Sequence, residues 1–468
     1  MHARIQSFLA EIRASYWFIP AAMALAAALA ALVLVSLDAR FEAEIRAALP
    51  FIFVTQADGA RAVLSAVASS MIGVAGTVFS ITIAAVVYAS GNYGPRILTN
   101  FMNDRGNQFT LGTFTATYLY ALLVLRTVRA PSGDDAPVQV DPFVPILATF
   151  GGTLLAIASV CVLIFFIHHV PSNIHVSNVV AGIGRSLTGK IAERFPKRLG
   201  MPPQEPAERA RALWQLPPSL ALEPSLDPSE PAQAEIEAQD TGYIQIIDED
   251  ALVAIAKRHE VVVRLNVRPG AFLHPDRIVF DVFPIGRVSE ELAVELRGTL
   301  ALGAKRTSTH DLLFLFDELV EIGARALSPG VNDPYTAVNC IDWLGAALAD
   351  LAGRDAPDPL RLDEDGQLRV VALPLDFEAY LEHSFGNLRQ YAAADMIAGA
   401  HFLATLAKIA RSTHDPMHLA ALRAMGDRMM ETARDGLSGP SLAHLEKRER
   451  ELHATLVHPR RRIRLGSA

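Results

Sequence analysis

The chain has 468 residues, of which 51% are hydrophobic and 20% charged, with a formal net charge of −8. That balance lacks the basic stripe nucleic-acid binding requires, so no nucleic-acid partner is expected. Only Cys161 and Cys340 are present, too few for a disulfide framework, which fits a reducing compartment for the water-soluble half. The apolar residues crowd into the first 170 positions, the distribution of a membrane half joined to a water-soluble half.

Trp17–Leu37 is a run of roughly 20 apolar or small residues, enough to cross about 30 Å of hydrocarbon. It exceeds the apolar core of about 7–15 residues in a secretory signal, so it reads as a retained first span, with Tyr16 and Trp17 at the interface. Asp38–Gly59 mixes Phe41, Ile45 and Leu49 with Arg40, Glu42 and Arg46, and suits either an amphipathic stretch on the membrane surface or an ordinary loop. The second span, Leu64–Val87, carries Ser65, Ser69, Gly73, Gly76, Ser80 and Ala84 at steps of three and four, all on one helical face. Such a seam either lets another backbone pack closely or lines a polar path around a symmetry axis.

Gly91, Gly94 and Pro95 end that helix. A polar turn follows, containing Arg96, Asn103, Asp104, Arg105 and Gln108. It is too rich in donors and acceptors for a mere connector and is expected to dock the water-soluble domain, near Asp333. The third span, Phe109–Val128, sets Thr113 and Thr117 on one face. The fourth, Val144–Val170, ends in His168-His169. Four spans put both termini on one side, and Arg185, Lys190, Arg194, Lys197 and Arg198 after the last span mark that side as cytoplasmic. The 38–59 and 128–141 loops then lie outside.

Pro202–Pro231 carries eight prolines and is expected to be a linker or extended strap without helix or strand. Tyr243–Ile247, Val261–Val267 and Ile278–Phe283 read as strands. An amphipathic helix over Asp248–His259 gives the order β-α-β-β. From Ser289 the pattern is helical almost to the end, interrupted at Ser328-Pro329-Gly330, Ala352–Gln367 and Asp415-Pro416. The expected organisation is a four-helix transmembrane domain over 1–175 and a helix plus Pro-rich linker over 176–240. A small β-rich subdomain (241–288), a helical domain (289–456) and a basic tail (457–468) follow.

Gly184–Lys190 has the glycine and lysine spacing of a phosphate loop, but Ile191 replaces the hydroxyl that magnesium needs, and a membrane helix precedes it where a strand should. His168, His169 and His175 have no carboxylate or thiol near them in sequence to complete a metal site, and read as a polar helix end. Asn332-Asp333-Pro334 is a helix cap: Asp accepts from free N–H groups of the first turn and Pro suits the first helical position. Glu318, Glu321 and Arg325 share one helical face. They are either solvated ion pairs or, with Asn332 and Asp333, a buried polar site between helices that receives an anion or a partner's loop. No catalytic constellation, metal motif or nucleotide fingerprint is recognisable, so neither an enzyme nor a cofactor is expected.

Tyr93-Gly94-Pro95-Arg96, Asn103-Asp104-Arg105-Gly106-Asn107-Gln108 and Ala326-Leu327-Ser328-Pro329-Gly330-Val331-Asn332-Asp333-Pro334 are words that generic helix composition does not produce. With Gly242–Ala271 and Arg306–Leu344, they resemble a family of bacterial predicted membrane proteins catalogued only as a domain of unknown function. His310 stands where the resemblance leads one to expect Gln. The resemblance implies a bacterial inner-membrane protein and carries no settled activity. The expected fold is membrane α-helical, four transmembrane helices plus a cytoplasmic α+β domain that is mainly helical. The functional expectation is a channel- or transporter-like homo-oligomer in the lipid bilayer, passing a small ion or solute, whose cytoplasmic domain assembles or regulates it. The alternative is a membrane-anchored scaffold or sensor.

Overall fold

The computed structural model describes residues 16–41, 56–94, 104–130, 142–194, 206–216, 220, 233–354 and 357–457. Arg96, Asn103, most of the 38–59 stretch, the 131–141 loop and the basic tail lie outside the described residues. The chain divides into a unit spanning Glu11–Asn178 and a second made mainly of Val179–Ala468.

In the first unit, four helices are long and apolar enough to cross a membrane. They are α1 (Phe18–Arg40), α2 (Ala57–Tyr93), α3 (Arg105–Leu125) and α4 (Ile146–Ile174). The spans foreseen from hydropathy are all present. At about 1.5 Å per residue, the 37 residues of α2 reach roughly 55 Å, well beyond a hydrocarbon core of about 30 Å. The helix around which the others pack is α3, the most buried and least hydropathic of the four. Its hydroxyls are occupied inside the bundle: Thr117 and Ser159 are hydrogen-bonded at 3.1 Å, and Tyr120 Oη donates to Ala148 O at 2.8 Å. Gly151 and Gly152 of α4 let the Tyr120 ring lie against the helix backbone. Asp38, buried at the end of α1, accepts from both Leu147 N and Ala148 N at 2.9 Å. Those are orphan donors of the first turn of α4, whose N-cap is Pro145 and offers no side-chain acceptor. The sequence placed Asp38 in the mixed-charge stretch; it is instead an interhelical cap.

In the second unit, α5 (Val176–Arg194) is followed by α6 (Pro206–Gln215), inside the proline-rich segment where no helix was expected. The reason is positional: Pro206 takes the first helical position, where its missing N–H and fixed φ cost nothing, and the next prolines come only at 217 and 218. Ala212 of this helix is buried against the sheet, and Gln215 Oε1 accepts from Leu368 N at 2.7 Å.

The expected β-α-β-β order then appears, with additions. Strands β1 (Ala234–Glu237) and β2 (Gly242–Ile247) precede α7 (Glu249–Arg258), which Asp248 caps through Ala251 N. Next come β3 (Val262–Leu265), β4 (Phe272–Leu273), β5 (Ile278–Phe283), α8 (Glu290–Arg297) and β6 (Leu300–Gly303). Two helices, α9 (Leu312–Ala326) and α10 (Pro334–Ala352), lead to β7 (Leu360–Leu362) and β8 (Leu368–Ala372). The short α11 (Phe377–Leu381) and α12 (Asn387–Ala392) flank a π-helical turn, and α13 (Met396–Ala410), α14 (Pro416–Gly436) and α15 (Gly439–Val457) finish the unit.

The larger sheet runs β1-β5-β3-β8-β7 and the smaller β4-β2-β6. Its central pair, β3 and β8, is parallel, with Val263 opposite Val370 and Leu265 opposite Ala372. Strands β1, β6, β7 and β8 thus fall outside the 241–288 stretch read as the β-rich subdomain; β6 and β8 lie where a helical pattern was expected, and β7 within the Ala352–Gln367 interruption. Val263, Phe280, Val282 and Val370 are all fully buried in the core under this sheet.

Candidate functional site

The small-residue stripe of α2 is intact and turned outward. Ser65, Ser69, Gly73, Gly76, Ser80 and Ala84 are all exposed. A Cβ at Gly73 or Gly76 would meet nothing within 4 Å. The helix has a second stripe, Ala60, Leu64, Ala68, Ala75, Val78, Thr82, Ala85 and Ala89, and this is the one buried against the rest of the bundle. Small residues therefore occupy both faces; the alanine-rich face packs within the bundle, and the glycine- and serine-bearing face is left uncovered by the described residues. Ser80 Oγ and Thr77 Oγ1 donate back to Gly76 O and Gly73 O at 2.9 and 3.1 Å, the economical arrangement for a hydroxyl in an apolar setting.

The polar turn before α3 resolves into a cap and a carboxylate–imidazole hydrogen-bonded pair. Asp104 accepts from Gly106 N at 2.7 Å and Asn107 N at 3.3 Å. The same carboxylate holds His169 Nε2 of α4, at 3.1 Å from each oxygen, and Phe165 stacks on the His169 ring at 4.8 Å. A carboxylate near the histidines, which sequence distance hid, is thus supplied from 65 positions away. Gly106 has no room for a side chain, because the ring fills the space a Cβ would need. Arg105 is exposed, whereas Asn107 and Gln108 are buried in the bundle.

In the second unit, Asp333 caps α10 through Thr336 N at 3.1 Å and accepts from Thr336 Oγ1 at 2.6 Å, while its own N–H donates to Ala326 O at 2.7 Å. Asn332 N donates to Ser328 O at 2.9 Å, and Asn332 sits at φ +50, a left-handed conformation that Asn tolerates. The Ser-Pro-Gly-Val-Asn-Asp-Pro word therefore builds a tight reversal between α9 and α10. Glu321 pairs with Arg325 at 3.5 Å on a partly exposed face, while Glu318, on the same helix, is buried. Burial pushes the Cys340 thiol well above its usual range, and the nearby Asp333 carboxylate adds to this. A thiol held protonated in this way is a structural group.

Two further sets of residues escaped the sequence reading. Arg306 Nε and Nη1 donate to Asp311 Oδ2 and Asp317 Oδ2 at 2.7 and 2.6 Å, and Asp311 Oδ1 accepts from Phe314 N at 3.2 Å, pinning the start of α9. Gly270, at φ +84, lies against the Asp311 carboxylate. Asp427, Glu449 and His453 bring ligand atoms within 4.8 Å of one another on α14 and α15, but His453 already bonds Asp427 at 3.0 Å and Glu449 pairs with Arg434 at 3.4 Å. The Gly184–Lys190 word lies within α5, where Gly184 admits the Trp343 ring, so its glycine is accounted for by packing.

A family model described as a predicted membrane protein, DUF2254, matches residues 13–408. The uncharacterised proteins Rv1290c of Mycobacterium tuberculosis and Mb1321c of Mycobacterium bovis are each 27% identical over 368 residues, which is 78% of this chain. The chain spans 66% of the length of these relatives. No solved structure matches it.

Proposed function

We propose that this chain, which belongs to the DUF2254 family of predicted membrane proteins, works as one subunit of a homo-oligomer joined through the outward face of α2. The observation that carries this reading is the open space at Gly73 and Gly76 on an exposed stripe of small residues. In lipid there is no hydrophobic force between helices, and close backbone approach over small residues is a main source of association. A channel- or transporter-like path for a small ion or solute then runs between copies along this face. The threonine face of α3 is an unsuitable lining, because Thr110, Thr113 and Thr117 are buried and their hydroxyls bond within the bundle. The α5 cluster Arg185, Lys190 and Arg194 favours a bacterial inner-membrane orientation with cytoplasmic termini. The second unit serves assembly or regulation. A non-conducting scaffold or sensor uses the same face for packing alone.

Native mass spectrometry of the purified protein and of Gly76→Leu tests the assembly. A Cβ at position 76 meets nothing within 4 Å among the described residues, so the subunit should stay folded while the oligomer dissociates. A monomeric parent protein, or a Gly76→Leu oligomer identical to it, overturns the reading. Flux into liposomes by the parent protein and Ser80→Ala then separates conduction from packing, since loss of one lining hydroxyl should change permeation with the oligomer intact.

A further inference from the structure

The second unit contains a cleft of about 520 Å³, within the range of about 300–1,000 Å³ typical of small-molecule sites. It lies wholly within that unit and is independent of how α2 faces associate. Its position follows from the sheet. Strands β3 and β8 are the parallel pair, and the segments leaving their carboxyl ends, through Val267-Arg268 and Leu373-Leu375, form two of its walls. Crevices outside the carboxyl ends of parallel strands are where open α/β sheets bind ligands, because the connections diverge there. A third wall is the His310–Leu313 entry to α9, held in place by the Arg306–Asp311 pair.

The chemistry of the walls selects a ligand class. Arg361, from β7, is only 8% exposed and lines the cleft. Its Nη1 donates to Leu360 O at 2.9 Å and to Asp358 O, but its buried Nε has no hydrogen-bond partner among the described residues. A buried guanidinium N–H without an acceptor is costly, and it calls for an oxygen-bearing group. Arg268 stands exposed at the mouth, its Nη2 3.5 Å from Leu373 O. Lys190, Arg268 and Arg361 face Glu193, Glu249 and Asp311 around the cleft, so its described ionisable lining is balanced in charge, with Asp311 already engaged by Arg306. Leu265, Val267, Ala372 and Leu375 make much of the remaining surface apolar.

We propose that this cleft binds a small organic monoanion with an apolar body, a monocarboxylate of the size of benzoate or a short-chain fatty acid. Arg361 and Arg268 take the carboxylate, and the strand ends take the hydrocarbon. The carboxylates of Glu193, Glu249 and Asp311 in the same lining repel a phosphate dianion more strongly than a singly charged carboxylate.

The test is benzoate titrated calorimetrically into the purified full-length protein in detergent, with inorganic phosphate and benzylamine as contrasts. Photolabelling by 4-azidobenzoate, read by peptide mass spectrometry, reports location. Saturable benzoate binding is expected, with phosphate and benzylamine silent and the label in segments 309–313 or 368–375. Removing a charged donor should weaken binding by about 10- to 100-fold in Arg361→Gln or Arg268→Ala. If Arg361→Gln does not fold, the exposed Arg268 decides the question through its own variant. No saturable binding to the folded parent protein, a label elsewhere, preferred binding of phosphate or benzylamine, or a folded Arg268→Ala that binds like the parent would each overturn the assignment.

Discussion

His169 Nε2 stands 3.1 Å from both carboxylate oxygens of Asp104, joining the beginning of α3 to the last turns of α4. The same carboxylate caps α3, so one side chain carries two duties. Replacing it with Ala removes the cap and the histidine's partner together, and should cost about 1–2 kcal/mol from the cap alone. Asp104→Asn keeps a capping oxygen and loses the charge, so it should fall between Ala and the parent. Thermal unfolding in detergent orders the three; an Ala variant that melts with the parent would show the pair to be incidental.

Asp38 is the side-chain acceptor that serves Leu147 N and Ala148 N in the first turn of α4. Asp38→Ala leaves the buried Ala148 N–H and the part-buried Leu147 N–H without it, a loss of roughly 1–3 kcal/mol for a buried group left unsatisfied. The expected outcome is looser attachment of α1, seen as faster proteolysis at the α1 end in detergent. Asp38→Asn, which offers one acceptor oxygen, should be intermediate. Equal digestion of all three forms would count against the cap.

Gly270→Ala meets two obstacles. The φ of +84 disfavours any L side chain, and the Asp311 carboxylate occupies the space of the new methyl. A cost of about 1–3 kcal/mol is expected from the backbone alone, with further loss from displacing the cap of α9. Chemical denaturation of the full chain measures it. A smaller effect than at the unhindered Gly366, also at positive φ, would contradict the contact with Asp311.

Asp363 gives a pH signature. Burial alone would raise its carboxyl, but the Arg369 guanidinium and the N–H groups of Gln367 and Asp365 outweigh that and hold it below the ordinary carboxylate value. A carboxyl lowered in the folded state contributes stability that is present above the unfolded pKa, about 3.9 for Asp, and lost as pH falls through the folded pKa. Asp363→Asn should therefore reduce stability at neutral pH and flatten its decline in acid. Melting curves from neutral pH down to about 3 check this, and parallel pH profiles for the two forms would refute it.

Much of this was legible in the residues. Hydropathy located all four spans, β-branched runs located β2, β3 and β5, and amphipathic spacing after Asp248 located α7, because each pattern is local. Long-range partners were not. Leu368–Ala372 is five residues long and follows a loop, so nothing nearby reveals that it enters the sheet beside β3. The Asp104–His169 pair hid behind a sequence separation of 65. Helix α6 is hidden by proline density, because Pro206 stands at a helix start where it disrupts nothing. The α2 stripe was found, but sequence spacing cannot say which of two small faces the chain keeps for itself. The Arg361 wall of the cleft had no motif at all; its meaning comes from burial.

The parallel β3–β8 pairing also shapes how the chain is made. Val263 and its partner Val370 are separated by 107 positions (370 minus 263). At about 5–20 residues per second, roughly 5–20 s of synthesis pass between them. During that interval one edge of β3 has no neighbour, while the four apolar helices have already left the ribosome. An unpaired strand edge is a template for pairing with other chains. The nascent second unit is thus most exposed to misassembly before β8 emerges, and truncations ending short of residue 368 should aggregate where those extending past 372 do not.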